Sequence, residues 1–276
     1  MAESSRRQRR EGKQPVDVRD DGGEGGFVWD VGDDIEEKER AELMLVGKIW
    51  ASKTTNVRAA VDVMTKLWSP KGAIVGNVID AKNKIFVFRF SDIRDNNRVI
   101  EGQPWHFDNQ IWCFDEPSDM GKLTDTPLFL VPMWARIYDL PVRGRSNEAN
   151  LRKLGEQLGK FVSMDVIPNP EIERAVRIRV LHNVRQPLKS TVSIRMPNGM
   201  SREFDVKYER LQATFCYGCG VFEHGEKECE EGPYEEGELR FGEWMRASPW
   251  KVTKTVVEPV GKAARSLGGN LTRRLK

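Results

Sequence analysis

The sequence predicts an α+β protein with two small domains and a short loop that contains cysteines and a histidine. Three observations support this prediction. Strand-like and helix-like hydrophobic periods alternate between residues 43 and 211. A polar, proline-bounded break at residues 117–127 divides that region, and three of the four cysteines lie between positions 216 and 229. A chain of 276 residues is long enough to build two such cores.

The first domain is predicted over residues 41–116. The pattern gives, in order, strand 43–50, helix 57–68, strands 74–80 and 84–90, helix 92–100 and strand 110–114. This β-α-β-β-α-β order is that of a ferredoxin-like unit. Phe86, Phe88 and Phe90 share one face of their strand, which we assign to a core against the helices. A base-stacking role for this sheet is therefore not expected.

A second α+β module is predicted over residues 128–211, after the linker at residues 117–127. The pattern gives a strand through Trp134 that ends at Pro141, a helix from about residue 146 to Gly159, and strands 161–166, 175–184, 190–196 and 202–211. The Asn198-Gly199 pair indicates a hairpin between the last two strands. Side-chain phase favours a three-residue loop that pairs Ile194 with Phe204 over a two-residue loop that pairs it with Glu203.

The cysteine cluster reads Cys216-x2-Cys219-x4-His224-x4-Cys229, the spacing of a CCHC zinc knuckle. Three thiolates and an imidazole complete a tetrahedral site, so one structural Zn²⁺ per chain is predicted. No coordination position is left for a substrate, which disfavours catalysis by this metal. The knuckle is placed at residues 212–232. Its few apolar residues predict a loop that is disordered without zinc, next to domains that survive chelation.

A local basic segment is the candidate for contact with nucleic acid. The net charge is only +2, so no overall field attracts a polyanion. Nine basic residues and three acids, however, lie between positions 174 and 210. Arg177 and Arg179 share the outward face of one strand. The predicted nucleic-acid-binding residues are Arg177, Arg179, Arg195 and Lys207, with Tyr217 and Phe222 of the knuckle. An ordinary solvated sheet face is the alternative.

The ends of the chain and its overall class complete the prediction. Residues 1–40 form a polar arm with an arginine cluster at positions 6–10, and residues 233–276 a mostly disordered tail. We expect an intracellular protein, compatible with a nuclear location, with no membrane span and no small-molecule substrate. Cys113, alone in a probable strand, is predicted to be a small buried thiol, and His182, in phase with Val180 and Val184, is predicted to be buried in the core. No residues are found that could carry out a reaction, so the protein is not expected to be an enzyme.

Several sequence segments together resemble one plant family. These are Leu45-Val46-Gly47-Lys48, residues 102–107 (GQPWHF), Trp134-Ala135-Arg136-Ile137 with Leu140-Pro141, residues 208–211 (YERL), the knuckle and residues 241–247 (FGEWMRA). Members of that family join an uncharacterised α/β domain to a CCHC zinc knuckle, and they resemble the gag-like first-reading-frame proteins of LINE-type retrotransposons. The resemblance implies zinc and nucleic-acid binding, and it assigns a role only to Cys216, Cys219, His224 and Cys229.

Two functions remain open at this point. The first is binding of single-stranded RNA or DNA through the strand that carries Arg177 and Arg179, called the basic strand below. The second is a protein-interaction module in which zinc only stabilises the fold, because the knuckle carries an acidic run that repels phosphates: Glu223, Glu226, Glu228, Glu230 and Glu231. The relative placement of the basic strand and the knuckle is expected to discriminate between them.

Overall fold

The computed structural model describes residues 41–117, 121–165, 174–235, 237 and 239–248. The first domain runs through β1 (Met44–Trp50), α1 (Val57–Trp68), β2 (Ile74–Asp80), β3 (Ile85–Phe90), α2 (Ile93–Glu101), β4 (Trp105–Phe107) and β5 (Gln110–Asp115). Its sheet is antiparallel throughout, with the order β2-β3-β1-β5-β4. The predicted α+β class is confirmed.

Side-chain caps explain where the two helices of the first domain begin. The Asn56 side chain accepts a hydrogen bond from the Ala59 amide at 3.1 Å, and Asp92 accepts one from the Arg94 amide at 2.9 Å. Such caps satisfy amide groups that have no partner within a helix. α1 ends at Ser69, whose φ of 43° turns the chain out of the helix just before Pro70.

The phenylalanines of β3 lie in the core of the first domain, as predicted. Phe86 and Phe88 have 0% of their surface exposed and Phe90 has 2%. Their rings meet tryptophans at close range: the Trp68–Phe88 centroids are 4.8 Å apart and the Phe86–Trp112 centroids 4.7 Å. Tilted and edge-on pairs of this kind add to the stabilisation from apolar burial.

The short strand β4 was not predicted. It pairs with β5 through Trp105↔Trp112 and Phe107↔Gln110, across a two-residue turn at Asp108 and Asn109. Both turn residues have positive φ, 50° and 57°. This is the conformation of type I′ hairpin turns, in which Asn and Asp are tolerated. The Asp108-Asn109 pair between two aromatic segments was therefore the sequence feature that could have predicted this hairpin.

The second module repeats the strand plan of the first. It runs through β6 (Leu130–Tyr138), α3 (Glu148–Leu158), β7 (Lys160–Met164), β8 (Ala175–Asn183), β9 (Thr191–Arg195) and β10 (Ser201–Tyr208). Its sheet has the order β7-β8-β6-β10-β9, and its strand pairs are antiparallel. Counted from its own first strand, each sheet has the order 2-3-1-5-4. Residues 184–190 form a loop where the first domain has α2.

The hairpin between β9 and β10 keeps the predicted side-chain phase but not the predicted pairing. Phe204 lies opposite Val192, and not opposite Ile194. The loop comprises residues 197–199, because the Met196 amide donates to the Met200 carbonyl at 2.8 Å. Gly199 supplies the left-handed residue of this three-residue loop, with φ of 84°. The pairing is thus two residues out of register, which preserves which side chains face the core.

The two domains share a core. Val46, Ile85, Ile111 and Cys113, on the helix-free face of the first sheet, belong to the same buried apolar cluster as the strands and helix of the second module. The Trp50 indole N–H donates to the Leu128 carbonyl across this interface at 2.7 Å. The first sheet therefore does not present these positions to a ligand.

The segment after the knuckle is packed, which corrects the prediction of a tail from residue 233. A 3-10 turn at Glu243–Met245 buries Met245 completely, and the Ala247 amide donates to the Tyr208 carbonyl at 2.9 Å. The predicted arm at residues 1–40 and the residues from 249 onward lie outside the described residues. Within the described parts of the chain, no helix has the length and apolar content needed to cross a bilayer.

Candidate metal centre and nucleic-acid surface

The four predicted zinc ligands lie together. The ligand atoms of Cys216, Cys219, His224 and Cys229 are all within 4.8 Å of one another. The Cys219 Sγ and His224 Nε2 atoms are 3.4 Å apart. A tetrahedral zinc ion with Zn–S bonds of about 2.3 Å would separate its ligand atoms by about 3.8 Å. The cluster fits one structural zinc ion, which confirms the predicted metal ligands.

Backbone hydrogen bonds fold the first half of the knuckle into a tight loop. The Cys216 amide donates to the Val221 carbonyl at 2.9 Å, and the Gly220 amide donates to the Cys216 carbonyl at 2.8 Å. Gly220 has φ of 79°, and a Cβ atom there would lie 2.6 Å from the Phe241 ring. Glycine is therefore required after the second cysteine, both by the backbone and by the close approach of Phe241.

The chemistry of the donors also indicates a cation. Burial, together with the neighbouring sulfur of Cys216, raises the pKa of the Cys219 thiol to about 12. Thiolates packed this closely repel one another unless a positive ion lies between them. A divalent ion reverses the effect and deprotonates its cysteine ligands at neutral pH. When bound, zinc would supply structural cross-linking, because all four donors come from the protein.

The knuckle is built into the core of the second module. Phe222 and Phe215 have 0% and 2% of their surface exposed, and both belong to the shared apolar cluster. The Leu188 amide, in the loop after β8, donates to the Gly220 carbonyl at 2.9 Å. Because Phe222 is fully buried, its ring is not available to stack on a base, which corrects the role predicted for it.

Tyr217 is half-buried and is engaged within the protein. Its hydroxyl donates to the Glu243 carboxylate at 2.6 Å, and its ring meets Phe215 edge-on at 5.0 Å. Partial burial and the adjacent Glu243 raise the pKa of Tyr217 to about 12. The hydroxyl therefore stays protonated and holds the segment after the knuckle in place.

Part of the acidic run in the knuckle has a structural role. The Glu226 carboxylate accepts a hydrogen bond from the Tyr217 amide at 2.7 Å, and that of Glu228 accepts one from the Gly225 amide at 3.0 Å. These bonds satisfy backbone donors in a loop that has few other partners. Glu230 and Glu231 are exposed. The acidic character of the surface thus comes mainly from the end of the run.

The outer face of the second sheet is the face opposite α3. It carries side chains from its three central strands, β6, β8 and β10, including Trp134, Arg136, Tyr138, Arg177, Arg179 and Lys207, and Glu209 follows directly after β10. Trp134 lies opposite Arg179, and Arg136 lies between Arg177 and Lys207 in register. Aromatic rings thus alternate with cations. The alternation of Trp134, Arg136 and Tyr138 was visible in the sequence, but their part in this surface was not inferred.

Arg177 is held by carboxylates on this face. It makes a bidentate pair with Glu209 at 2.8 Å and a further pair with Asp165 at 2.5 Å, and its guanidinium lies 3.8 Å from the Trp134 ring centroid. Arg136 also pairs with Glu209, at 2.6 Å. Burial would raise the pKa of Glu209, but the hydrogen bonds from these two arginines hold it below its usual value. Arg177 therefore belongs to a structural ion-pair network.

The other predicted cations are placed differently. Arg179 donates to the Glu101 carbonyl at 2.9 Å, and the Lys207 ammonium lies 5.6 Å from the centroid of the Tyr138 ring. Neither contact neutralises the positive charge. Arg195 is exposed on the edge strand β9, which β10 separates from the aromatic side chains of β6.

The side chains of Arg177 and Arg179 lie on one side of the second sheet, and the knuckle lies on the other side. Phe222 packs against His182, whose buried side chain alternates in phase with Val180 on the inner face of β8. Arg177 and Arg179 have the opposite phase. A ligand on the outer face would therefore not meet the knuckle across the sheet.

Comparisons with known proteins match two parts of the chain. Residues 37–115 match the family described as "Domain of unknown function (DUF4283)", and residues 182–231 match the family described as "Zinc knuckle". No curated protein matches the sequence. One similar solved chain is titled "Sxl-lethal protein/RNA complex"; it is 14% identical, the match covers 60% of this chain and 98% of that one, and the TM-score is 0.25. Such a poor superposition supports no assignment. The two family matches identify a DUF4283 domain followed by a CCHC-type zinc knuckle.

Proposed function

We propose that this chain is a non-catalytic protein that binds single-stranded RNA or DNA with little sequence preference. The closed set of four protein ligands at a CCHC-type knuckle is the observation that carries the proposal. Four protein donors leave no position for a reacting water, which favours a structural metal over an enzyme. Single-stranded nucleic acid is the common ligand of proteins with zinc knuckles.

The outer face of the second sheet is the proposed contact surface. Strand register brings Trp134 and Tyr138, both half-buried, next to the cations Arg179 and Lys207. Single strands bind to surfaces that combine positive charge for the phosphates with rings on which bases stack. Since Arg177 is occupied by Glu209 and Asp165, we assign it the role of fixing Trp134, and not of binding phosphate.

The first domain supports this surface and does not extend it. Its strand order and two helices are those of a ferredoxin-like unit, and we propose that fold for it. Its aromatic face packs on its own helices, and its other face contributes to the core of the second module. We therefore propose that the first domain acts as a scaffold.

The origin and location of the protein are further parts of the proposal. The segments that resemble plant gag-like proteins, together with the knuckle, support descent from a LINE-type retrotransposon. The arginine cluster at positions 6–10, which lies outside the described residues, supports an intracellular protein located in the nucleus. Fluorescence imaging of the tagged chain with this cluster intact or replaced by alanine would test the location.

The binding proposal is tested by titrating a labelled single-stranded RNA at several salt concentrations. Arg179→Ala combined with Lys207→Ala should weaken binding and flatten the salt dependence by roughly one to two units of slope, because each phosphate contact releases counterions. Arg58→Ala with Lys66→Ala removes the same charge from exposed positions on α1 and serves as the control. Equal loss in both variants would contradict the proposed surface.

A protein-interaction module is the second candidate, and one observation favours it. The knuckle lies on the side of the sheet opposite the cations, and its exposed glutamates Glu230 and Glu231 would attract a basic partner. The same titration separates the candidates. If the wild type fails to bind RNA at low salt while Glu230→Gln with Glu231→Gln abolishes binding to a basic peptide, the second candidate replaces the first.

A further inference from the structure

A pocket of about 540 Å³ lies at the edge of the second module, away from the knuckle. Three segments line it: the loop after β6 at residues 140–145, one side of α3, and residues 193–197 of β9 and its hairpin. A volume of this size accommodates a small organic ligand. None of the functions proposed above uses this pocket.

Arg145 is the exceptional residue of the pocket. Its surface is only 6% exposed, and its Nε and Nη2 atoms have no hydrogen-bond partner among the described residues. Buried guanidinium groups are normally paired, because an uncompensated charge removed from water is strongly destabilising. The arrangement favours a negatively charged partner that the described residues do not supply by a hydrogen bond.

The remaining charges of the pocket have the same sign. Arg143, Lys153 and Arg195 also line it, and none of the described lining residues carries a carboxylate. The carboxylates nearby in sequence make no hydrogen bond to Arg145, although the hydrogen bond from Arg174 and, after it, the nearby charge of Arg145 contribute to lowering the pKa of Asp139. Asp139 pairs with Arg174 at 2.9 Å, and Glu148 lies 3.5 Å from Arg152 on the helix surface.

Hydrogen bonds hold the walls of the pocket in place. The Gln157 side chain bridges α3 to β9 by donating to the Ser193 carbonyl at 2.9 Å and accepting from the Ser193 amide at 3.0 Å. Beside Arg145, the Asn150 side chain donates to the Gly144 carbonyl at 3.0 Å. Gly144 has φ of 86°, which lets the chain turn directly before Arg145. The backbone on both sides of the pocket is thus held in place in advance of any ligand.

We propose that this pocket binds a phosphate group, with Arg145 as the central ligand and Arg143, Lys153 and Arg195 around it. An arginine fork pairs with two phosphate oxygens, and the surrounding cations add long-range attraction. The phosphate can belong to a free phosphate or nucleotide, or to the end of a nucleic acid. The site does not depend on RNA binding by the outer face, since Arg145 can be altered while Arg179 and Lys207 remain.

Thermal unfolding of the full chain in inorganic phosphate tests the site, with chloride at equal ionic strength as the reference. Binding to the folded state alone should raise the Tm of the wild type by about 3 to 6 °C for each tenfold increase in phosphate beyond its Kd. Arg145→Met should lose this response, and Arg58→Ala, on α1, should retain it. An unresponsive wild type, or a full response in Arg145→Met, would overturn the proposal.

A second variant keeps the test decisive if Arg145→Met does not fold. Arg195 and Lys153 are exposed, so replacing both with alanine should leave the fold intact and raise the Kd for phosphate at least tenfold. An unchanged Kd would overturn the proposal. Uridine monophosphate compared with uridine, and an oligonucleotide with or without a 5′-phosphate, then identify the source: the ligand whose phosphate gives the larger Tm increase is the one that the pocket accommodates.

Discussion

The ring of Phe222 meets the imidazole of His182 edge-on, with ring centroids 5.9 Å apart. Phe222 lies between the zinc ligands Cys219 and His224 in the sequence, whereas His182 lies on β8. Both side chains are buried. This pair couples the metal centre directly to the core of the second module, so metal binding and the stability of that module are linked.

Removal of zinc is therefore expected to destabilise more than the knuckle. Disorder of the loop would expose Phe222 and Phe215, each of which stabilises the fold by roughly 2 to 3 kcal/mol through burial. Chelation, or Cys219→Ser, should lower the Tm of the chain by roughly 8 to 24 °C. Metal analysis should find one zinc in the wild type, and zinc added back should restore its Tm. An unchanged Tm would instead support the independent knuckle that the sequence alone suggested.

The stability of the fold is expected to fall in mild acid because of buried histidines. Burial, with repulsion from Arg210, lowers the pKa of His106 from 6.5 to about 4, and burial lowers that of His182 to about 4 as well. Below pH 6.5 the unfolded imidazoles bind protons that the folded ones do not. The stability from neutral histidine is thus complete above pH 6.5 and is lost as the pH falls towards 4.

Denaturant unfolding at pH 7.5 and pH 5 measures this effect. His106→Gln should remove on the order of 2 kcal/mol of the pH dependence, since glutamine does not titrate. Loss of zinc in acid contributes equally to the wild type and to the variant, so the difference between them isolates His106. Identical pH dependence in the two proteins would show that His106 is protonated equally in both states.

Arg177→Ala is expected to lower the free energy of unfolding, because Arg177 belongs to an ion-pair network. The change leaves Asp165 without its cation and removes the bidentate partner of Glu209. Breaking a partly buried pair on one side costs roughly 1 to 3 kcal/mol. Urea unfolding should show this loss, whereas Arg202→Ala, at an exposed position on β10, should change the free energy of unfolding by less than about 0.5 kcal/mol. Equal effects would argue against a structural network.

The hairpin loop offers a test of backbone conformation alone. Gly199 has φ of 84°, and a Cβ atom there would have no neighbour within 4 Å. Gly199→Ala should therefore destabilise by about 1 kcal/mol through the left-handed backbone conformation and not through a clash. Gly199→Asn should cost less, because asparagine tolerates this region. Unfolding free energies of the three proteins provide the comparison.

Hydrophobic periodicity was sufficient to predict most of the elements. α1 and β2 have the predicted bounds, and the phase of β3 correctly placed Phe86, Phe88 and Phe90 in the core. The zinc ligands followed from spacing alone, because four donors close together in sequence leave few alternative partners. These are local properties of the chain, which a sequence displays directly.

Long-range relationships account for the features that were missed. Alternation along β8 showed that Arg177 and Arg179 share a face, but not that Glu209, directly after β10, would pair with Arg177. From the sequence, Phe222 was interpreted as an aromatic residue of an exposed loop. In the structure it is buried in the apolar cluster that the two domains share. The pairing of Val192 with Phe204 shares its phase with the predicted pairing, so burial alone does not distinguish the two registers.

The contact between Ser52 and the knuckle bears on how the protein reaches its native state. The Ser52 hydroxyl donates to the Glu223 carbonyl at 3.0 Å, across 171 positions of sequence. A contact of this sequence separation forms slowly, because a long loop must close first. During synthesis, residues near β1 leave the ribosome well before the last zinc ligand. Metal capture is therefore a late step, and until it occurs the nascent chain exposes apolar surface that the knuckle later covers.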